Sequence, residues 1–189
     1  MKCVAFPRAV FIDKDGTLVE NVPYNVDPAL VVLAPGAAEA VAAFAARGYR
    51  VIVVSNQPGI ALGKFSAAEL HKVDVWLRAL LPGLQGFYYC PHAPDALCAC
   101  RKPAAGLLER AAREQGIDLA ESWMIGDILH DVEAGRRAGC RTVLLDNGNE
   151  TEWHLTPERV PDHVAHDLAE AAALILPWGF QRVEREAVT

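Results

Sequence analysis

The sequence predicts an α/β protein: a three-layer α/β/α sandwich around a mostly parallel sheet. Three observations point there. Short apolar runs such as Arg50–Val54 (RVIVV) show almost no alternation, as expected of strands covered on both faces. Strand-like and helix-like stretches alternate along the chain five times. The residues able to do chemistry fall just after the strand-like runs, where ligands bind in open α/β sheets.

The elements follow in order. Ala9–Ile12 reads as a buried strand, and a turn-rich loop runs from Lys14 to Ala34. Pro35-Gly36 opens an alanine-rich helix that stops near Gly48, a residue suited to a helix C-terminus. Arg50–Val54 is the second strand. Ser66-Ala67-Ala68-Glu69 has the pattern of a capping box and starts a helix to about Leu81. Gly86–Tyr89 is a third strand, and Pro103 opens a helix to about Gln115. Ser122–Ile125 is a fourth strand, Asp131–Ala138 a short helix closed by Gly139, and Arg141–Leu145 a fifth strand. Asp167–Leu176 forms a last helix before a polar tail, 177–189.

Bulk properties exclude several classes. The 189 residues suffice for one domain, 1–189, with a real core. A 52% apolar and 22% charged composition is globular, not disordered. The net charge of −6 gives no broad basic surface for nucleic acid, and an anionic substrate needs a local cationic pocket. No apolar run reaches the ~18 residues needed to cross a bilayer. Met1 to Arg8 lacks the apolar core of a signal peptide. The expectation is a monomeric cytoplasmic protein without membrane or nucleic-acid partners.

The chemistry begins in Val10-Phe11-Ile12-Asp13-Lys14-Asp15-Gly16-Thr17. On extended backbone, residues two apart share a face, so Asp13 and Asp15 both reach one ligand while Lys14 points elsewhere. A carboxylate nucleophile beside a carboxyl acting as general acid suits phosphate-ester cleavage through an aspartyl-phosphate. On its own, Asp-x-Asp reads first as a strand running into an acidic turn; three further features weigh against that. Ser55-Asn56-Gln57 ends the second strand and offers a hydroxyl and backbone N–H groups to phosphoryl oxygens. Lys102 supplies a fixed cation. Asp127, after the fourth strand, provides a second carboxylate for Mg²⁺, together with Asp13 and the backbone carbonyl of Asp15. Asp131 either supports that site or caps the following helix. His130 is a surface histidine or supports the metal site from behind.

Five cysteines are present, and three crowd between Cys90 and Cys100. Cys90, His92, Cys98 and Cys100 offer three thiolates and an imidazole within eleven residues, a set that suits tetrahedral structural zinc. Four protein ligands leave no open position, and Arg101-Lys102 begins directly after the last ligand.

Together these pieces resemble the haloacid-dehalogenase-like phosphatases. The match runs from Phe11-Ile12-Asp13-Lys14-Asp15-Gly16-Thr17 through Ser55-Asn56-Gln57 and Arg101-Lys102-Pro103 to Gly126-Asp127, within residues 9 to 146. The Cys-Pro-His and Cys-x-Cys-Arg-Lys-Pro loop is similar to the small capless branch that holds the heptose-bisphosphate phosphatases and histidinol-phosphatases. The resemblance implies a capless Rossmann-like domain, catalytic Mg²⁺, structural Zn²⁺ and an aspartyl-phosphate. It makes Asp13 the nucleophile, Asp15 the general acid, and Ser55 and Lys102 the holders of the phosphoryl group. Asp13, Asp15 and Asp127 become the Mg²⁺ ligands. Asn21, Tyr24, Asn56, Gln57 and Arg101 become substrate contacts. Heptose 1,7-bisphosphate is the implied sugar-phosphate substrate, with histidinol phosphate as the alternative and a zinc-stabilised binding module without turnover as a third reading. Leu62 and Ile128 stand where the heptose enzymes carry cations, and the five-residue spacer of the zinc loop is more like the histidinol enzymes.

Overall fold

The structure is a computed structural model and describes residues 6–176; the expected polar tail lies outside them. Six parallel strands form one sheet in the order β3-β2-β1-β4-β5-β6. They are β1 (Ala9–Ile12), β2 (Arg50–Asn56), β3 (Leu84–Cys90), β4 (Trp123–Gly126), β5 (Arg141–Leu145) and β6 (His163–Ala165). The helices are α1 (Ala37–Ala46), α2 (Ala67–Leu80), α3 (Gly106–Gln115), α4 (Leu129–Ala138) and α5 (168–176).

Alternate strand residues feed two apolar layers. Val10, Ile12, Val51 and Val53 meet Phe44 of α1, Leu77 of α2 and Leu168 of α5. Ala9, Phe11, Ile52 and Val54 meet Leu107 and Leu108 of α3 and Ala134 of α4. All of these side chains are buried. This explains the near-continuous apolar runs, because both faces of the sheet are covered.

Several boundaries differ from the sequence reading. Strands β2 and β3 are longer, since Ser55 and Asn56 pair with Tyr89 and Cys90. Helix α3 starts at Gly106, not Pro103, because the chain first makes a turn in which Ala104 N–H donates to the Arg101 carbonyl. Helix α4 starts two residues early, at Leu129. Strand β6 is not legible in the sequence. It has only three residues, its middle residue Val164 is exposed, and its register rests on pairing to Val143–Leu145.

The chain builds β1, β2 and β3 outward on one side, then returns to place β4 against the other side of β1. The boundary between β1 and β4 is therefore the topological switch point, and ligands of open α/β sheets bind outside the carboxyl ends of such strands. Between β1 and α1 lies a hairpin, pinned at its base by the Val19–Leu33 bridge.

Candidate active site

Asp13 follows β1, and its N–H donates to the Ile125 carbonyl of β4 at 2.9 Å. This continues the ladder and sets Asp13 beside Gly126-Asp127. Carboxylate oxygens of Asp13, Asp127 and Asp131 lie within 4.8 Å of one another, and all three residues are buried. Lys102 Nζ enters the cluster at 2.5 Å from Asp13 Oδ1 and 2.6 Å from Asp131 Oδ1, and also donates to the Val54 carbonyl at 3.0 Å. The four groups come from residues up to 118 positions apart in sequence.

The electrostatics favour a cation. Burial pushes the Asp13 carboxyl well above its ordinary range; Lys102 opposes this, while Asp131, Asp127 and Asp15 add to it. Asp127 is pushed up to about 6, first by burial and then by Asp131. Burial pulls the Lys102 ammonium down, but Asp13 and Asp131 outweigh it and the net shift is upward. Four carboxylates (Asp13, Asp15, Asp127, Asp131) face two ammonium groups (Lys14, Lys102), leaving a formal charge of −2. Hard oxygen donors with that excess charge fit Mg²⁺.

Asp131 touches both the cluster and the start of the next helix. Its Oδ1 pairs with Lys102, and its Oδ2 accepts the Ile128 N–H at 3.4 Å, capping α4. Asp127 is held on both oxygens, by Thr17 Oγ1 at 3.0 Å and Asn149 Nδ2 at 2.8 Å. Gly16 is required beside it. Its φ is +84°, and a Cβ there would sit 2.2 Å from Asp127 Oδ2.

Asp15 stands nearer the opening, with 30% of its side chain exposed against 11% for Asp13. Gln57 Nε2 donates to Asp15 Oδ2 at 2.9 Å and to Ser55 Oγ at 2.8 Å. The buried Ser55 hydroxyl accepts from Gln57, and the hydrogen bonds among the described residues give its own proton no acceptor, which leaves it for an incoming oxygen. Lys14 was expected to point away. Instead its side chain is buried and pairs with Asp15 Oδ1. Asn56 also departs from the substrate contact expected of it. Its amide donates to the Lys102 carbonyl at 3.1 Å and accepts the Lys102 N–H at 3.0 Å, clamping the backbone that carries the lysine. Arg101 keeps a buried Nη1 without a hydrogen-bond partner among the described residues, as a group reserved for a ligand would.

The zinc-type cluster also assembles. Cys90 Sγ and Cys100 Sγ lie 3.3 and 3.2 Å from His92 Nδ1, and both lie 3.7 Å from Cys98 Sγ. Bonds of about 2.3 Å to a tetrahedral ion place sulfurs about 3.8 Å apart, so the cluster fits Zn²⁺ without rearrangement.

Asn21 and Tyr24 lie on the hairpin, exposed, with Tyr24 at φ +57°. The described interactions do not bring them to the carboxylates. His130 is partly buried, and the described hydrogen bonds and ion pairs do not link its side chain to the four acids. Sequence reasoning missed Thr17, Asn147 and Asn149. Thr17 was recoverable as the residue two beyond Asp15. Nothing local marks the asparagines, which arrive from the loop after β5.

Comparison with known proteins gives the family. An HAD-hydrolase-like family model matches residues 99–171. A D-glycero-β-D-manno-heptose-1,7-bisphosphate 7-phosphatase of Haemophilus ducreyi is 36% identical over 73% of this chain and 82% of its own. The Pseudomonas aeruginosa protein of the same name is 33% identical over 88% and 97%. The crystal structure of D,D-heptose 1,7-bisphosphate phosphatase from B. bronchiseptica, complexed with magnesium and phosphate, superposes with a TM-score of 0.76. It is 30% identical and covers 90% of this chain and 98% of its own. A putative HAD-like phosphatase from Mesorhizobium loti gives the same TM-score and identity over 90% and 86%. With its paired aspartates, buried lysine and third acid meeting at the switch point of a parallel sheet, this chain belongs to the haloacid-dehalogenase-like phosphatases.

Proposed function

We propose that this protein hydrolyses a sugar phosphate monoester through an aspartyl-phosphate, and that its substrate is D-glycero-D-manno-heptose 1,7-bisphosphate, cleaved at the 7-phosphate. One observation carries the chemistry: Asp13, Asp15, Ser55, Lys102 and Asp127 converge on one site from separate strands. The substrate is supported by relatives 33–38% identical over most of the chain that bear that enzyme's name.

In this reading Asp13, Asp127 and the Asp15 carbonyl hold Mg²⁺, which supplies charge neutralisation for the phosphoryl oxygens. Lys102 occupies Asp13 Oδ1 and leaves Oδ2 to attack phosphorus. Ser55 donates its hydroxyl proton to a phosphoryl oxygen, and Lys102 offsets the charge that develops there. The new O–P bond forms as the sugar oxygen departs with the Asp15 proton. Asp15, now a carboxylate, then takes a proton from water, which attacks phosphorus, frees phosphate and restores Asp13. Cys90, His92, Cys98 and Cys100 bind structural Zn²⁺ and fix the start of Arg101-Lys102. Arg101, with Asn21 and Tyr24 on the hairpin, meets the rest of the sugar.

The test is phosphate release from heptose 1,7-bisphosphate anomers, histidinol phosphate and hexose phosphates with Mg²⁺. The heptose substrates are expected to give the highest kcat/KM. A dominant rate on histidinol phosphate would replace the substrate while keeping the chemistry. No release from any of them would leave a binding module.

A further inference from the structure

The loop after β5 reaches back into the acid cluster. Asn149 Nδ2 lies 2.8 Å from Asp127 Oδ2 and 3.4 Å from the Gly16 carbonyl. Asn147 Nδ2 donates to the same Gly16 carbonyl at 2.8 Å. Glu150 Oε2 accepts the Leu129 N–H at 2.7 Å and satisfies an otherwise open donor in the first turn of α4. One short strap therefore ties together the turn after Asp15, the carboxylate after β4 and the helix that carries Asp131.

The geometry points to Asn149, seconded by Asn147, as a positioning residue that fixes the Asp127 carboxylate and the Gly16 turn for a divalent cation. This rests on the function proposed above.

Three facts carry it. First, both Asp127 oxygens receive a hydrogen bond from a neutral donor, Thr17 on one side and Asn149 on the other. A carboxylate gripped at both oxygens cannot rotate, yet each oxygen keeps a lone pair for a metal. Mg²⁺ demands nearly ideal octahedral geometry at about 2.0–2.1 Å and tolerates a misplaced ligand poorly. Second, the donor is an amide. A Lys or Arg at the same place would neutralise Asp127 and repel the ion, whereas an amide orients the carboxylate without competing for it. Third, the strap is shaped to deliver both side chains. Gly148 sits between the asparagines at φ +89°, a left-handed turn that other residues resist, and Asn149 N–H donates to Asn147 Oδ1 at 3.3 Å. Partners of metal ligands of this kind typically change metal affinity roughly 10- to 100-fold when removed.

The test is Mg²⁺ titration by calorimetry on the full chain, without substrate, beside kinetics at varied Mg²⁺. Asn149→Ala should weaken Mg²⁺ binding by roughly 10-fold or more, with kcat at saturating Mg²⁺ largely kept. Its melting temperature without Mg²⁺ should fall by no more than a few degrees, the loss expected for one hydrogen bond to a carboxylate, while the rise on adding Mg²⁺ shrinks. Asn147→Ala should show the same pattern at smaller size, and Glu152→Gln, an exposed neighbour on the strap, none of it. In an Asp127→Asn background, Asn149→Ala should add no further loss of affinity, as expected for residues acting through one another. An unchanged Mg²⁺ affinity, or an equal loss in both backgrounds, overturns the proposal. Because the readout is ion binding, a wild-type protein that binds Mg²⁺ but releases no phosphate refutes the proposed function and leaves this inference standing.

Discussion

Asp13 and Asp15 are two residues apart, yet their surroundings separate their roles. Asp13 is enclosed with Lys102 on one oxygen; Asp15 faces the opening between Lys14 and Gln57. An enclosed carboxylate beside a cation suits attack on phosphorus, and a carboxyl at the mouth can reach a leaving oxygen. Asp15→Asn should lower kcat/KM for sugar phosphates by about 10²–10⁴, with a much smaller loss for an activated aryl phosphate, whose leaving group needs no proton. Equal losses on both would remove the general-acid role. Asp127 gives a pH prediction. Its carboxyl is raised from 3.8 to about 6, so the folded protein binds a proton in that window that the unfolded chain does not. The Asp127 contribution to the stability of the metal-free protein should therefore fall as pH rises from 3.8 to about 6, and Asp127→Asn should remove that contribution. Mg²⁺ binding needs the carboxylate, so its affinity should weaken as pH drops below about 6. Calorimetric Kd values at several pH values check this, and Asp127→Asn should flatten the dependence. Chemistry was more legible than contact at this scale. Asp-x-Asp and Gly-Asp were readable because residue type and strand period suffice. The amide of Asn56 was not, since only the fold shows it bound to the Lys102 backbone.

The elements hold the cations in place. Cys100 ends the zinc-type loop two residues before Lys102, and Asn56 at the end of β2 clamps the Lys102 backbone from the opposite side. Cys98→Ser should release zinc and lower the melting temperature. A loss of about 2 kcal/mol would correspond to about 4–8 °C. Mg²⁺ affinity should change little, because Asp13 and Asp127 stand on other strands. Unchanged metal content and melting would refute a structural zinc site. Helix boundaries show where local pattern stops. The capping box of α2, Ser66 with Glu69, forms as the sequence indicates. The early start of α4 does not follow from local sequence, because one of its N-terminal partners is Glu150, 21 residues away.

At the scale of the molecule, the sheet carries the site at the carboxyl ends of its strands, and packing away from those ends is expected to bear on stability alone. Phe44 of α1 is fully buried, in the same apolar layer as Val41 and edge-on to Tyr49. Phe44→Ala should cost about 3–5 kcal/mol of unfolding free energy, with kcat/KM near wild type under conditions where the protein remains folded. Urea denaturation beside steady-state kinetics separates the two, and a selective loss of kcat would show that α1 shapes the site. No helix among the described residues is long and apolar enough to cross a membrane.

The sequence by itself determined the class of fold, the five longer strands, the acids and lysine of the site and the four zinc-type ligands. These depend on residue type at short spacing, which strand and helix periods convert directly into position. Only the tertiary structure decided that β1 and β4 are neighbours, that Asp131 both caps α4 and pairs with Lys102, and that a loop after β5 grips Asp127. Those contacts join residues distant along the chain, and distance in sequence carries no signal until the sheet order brings the ends of the strands together.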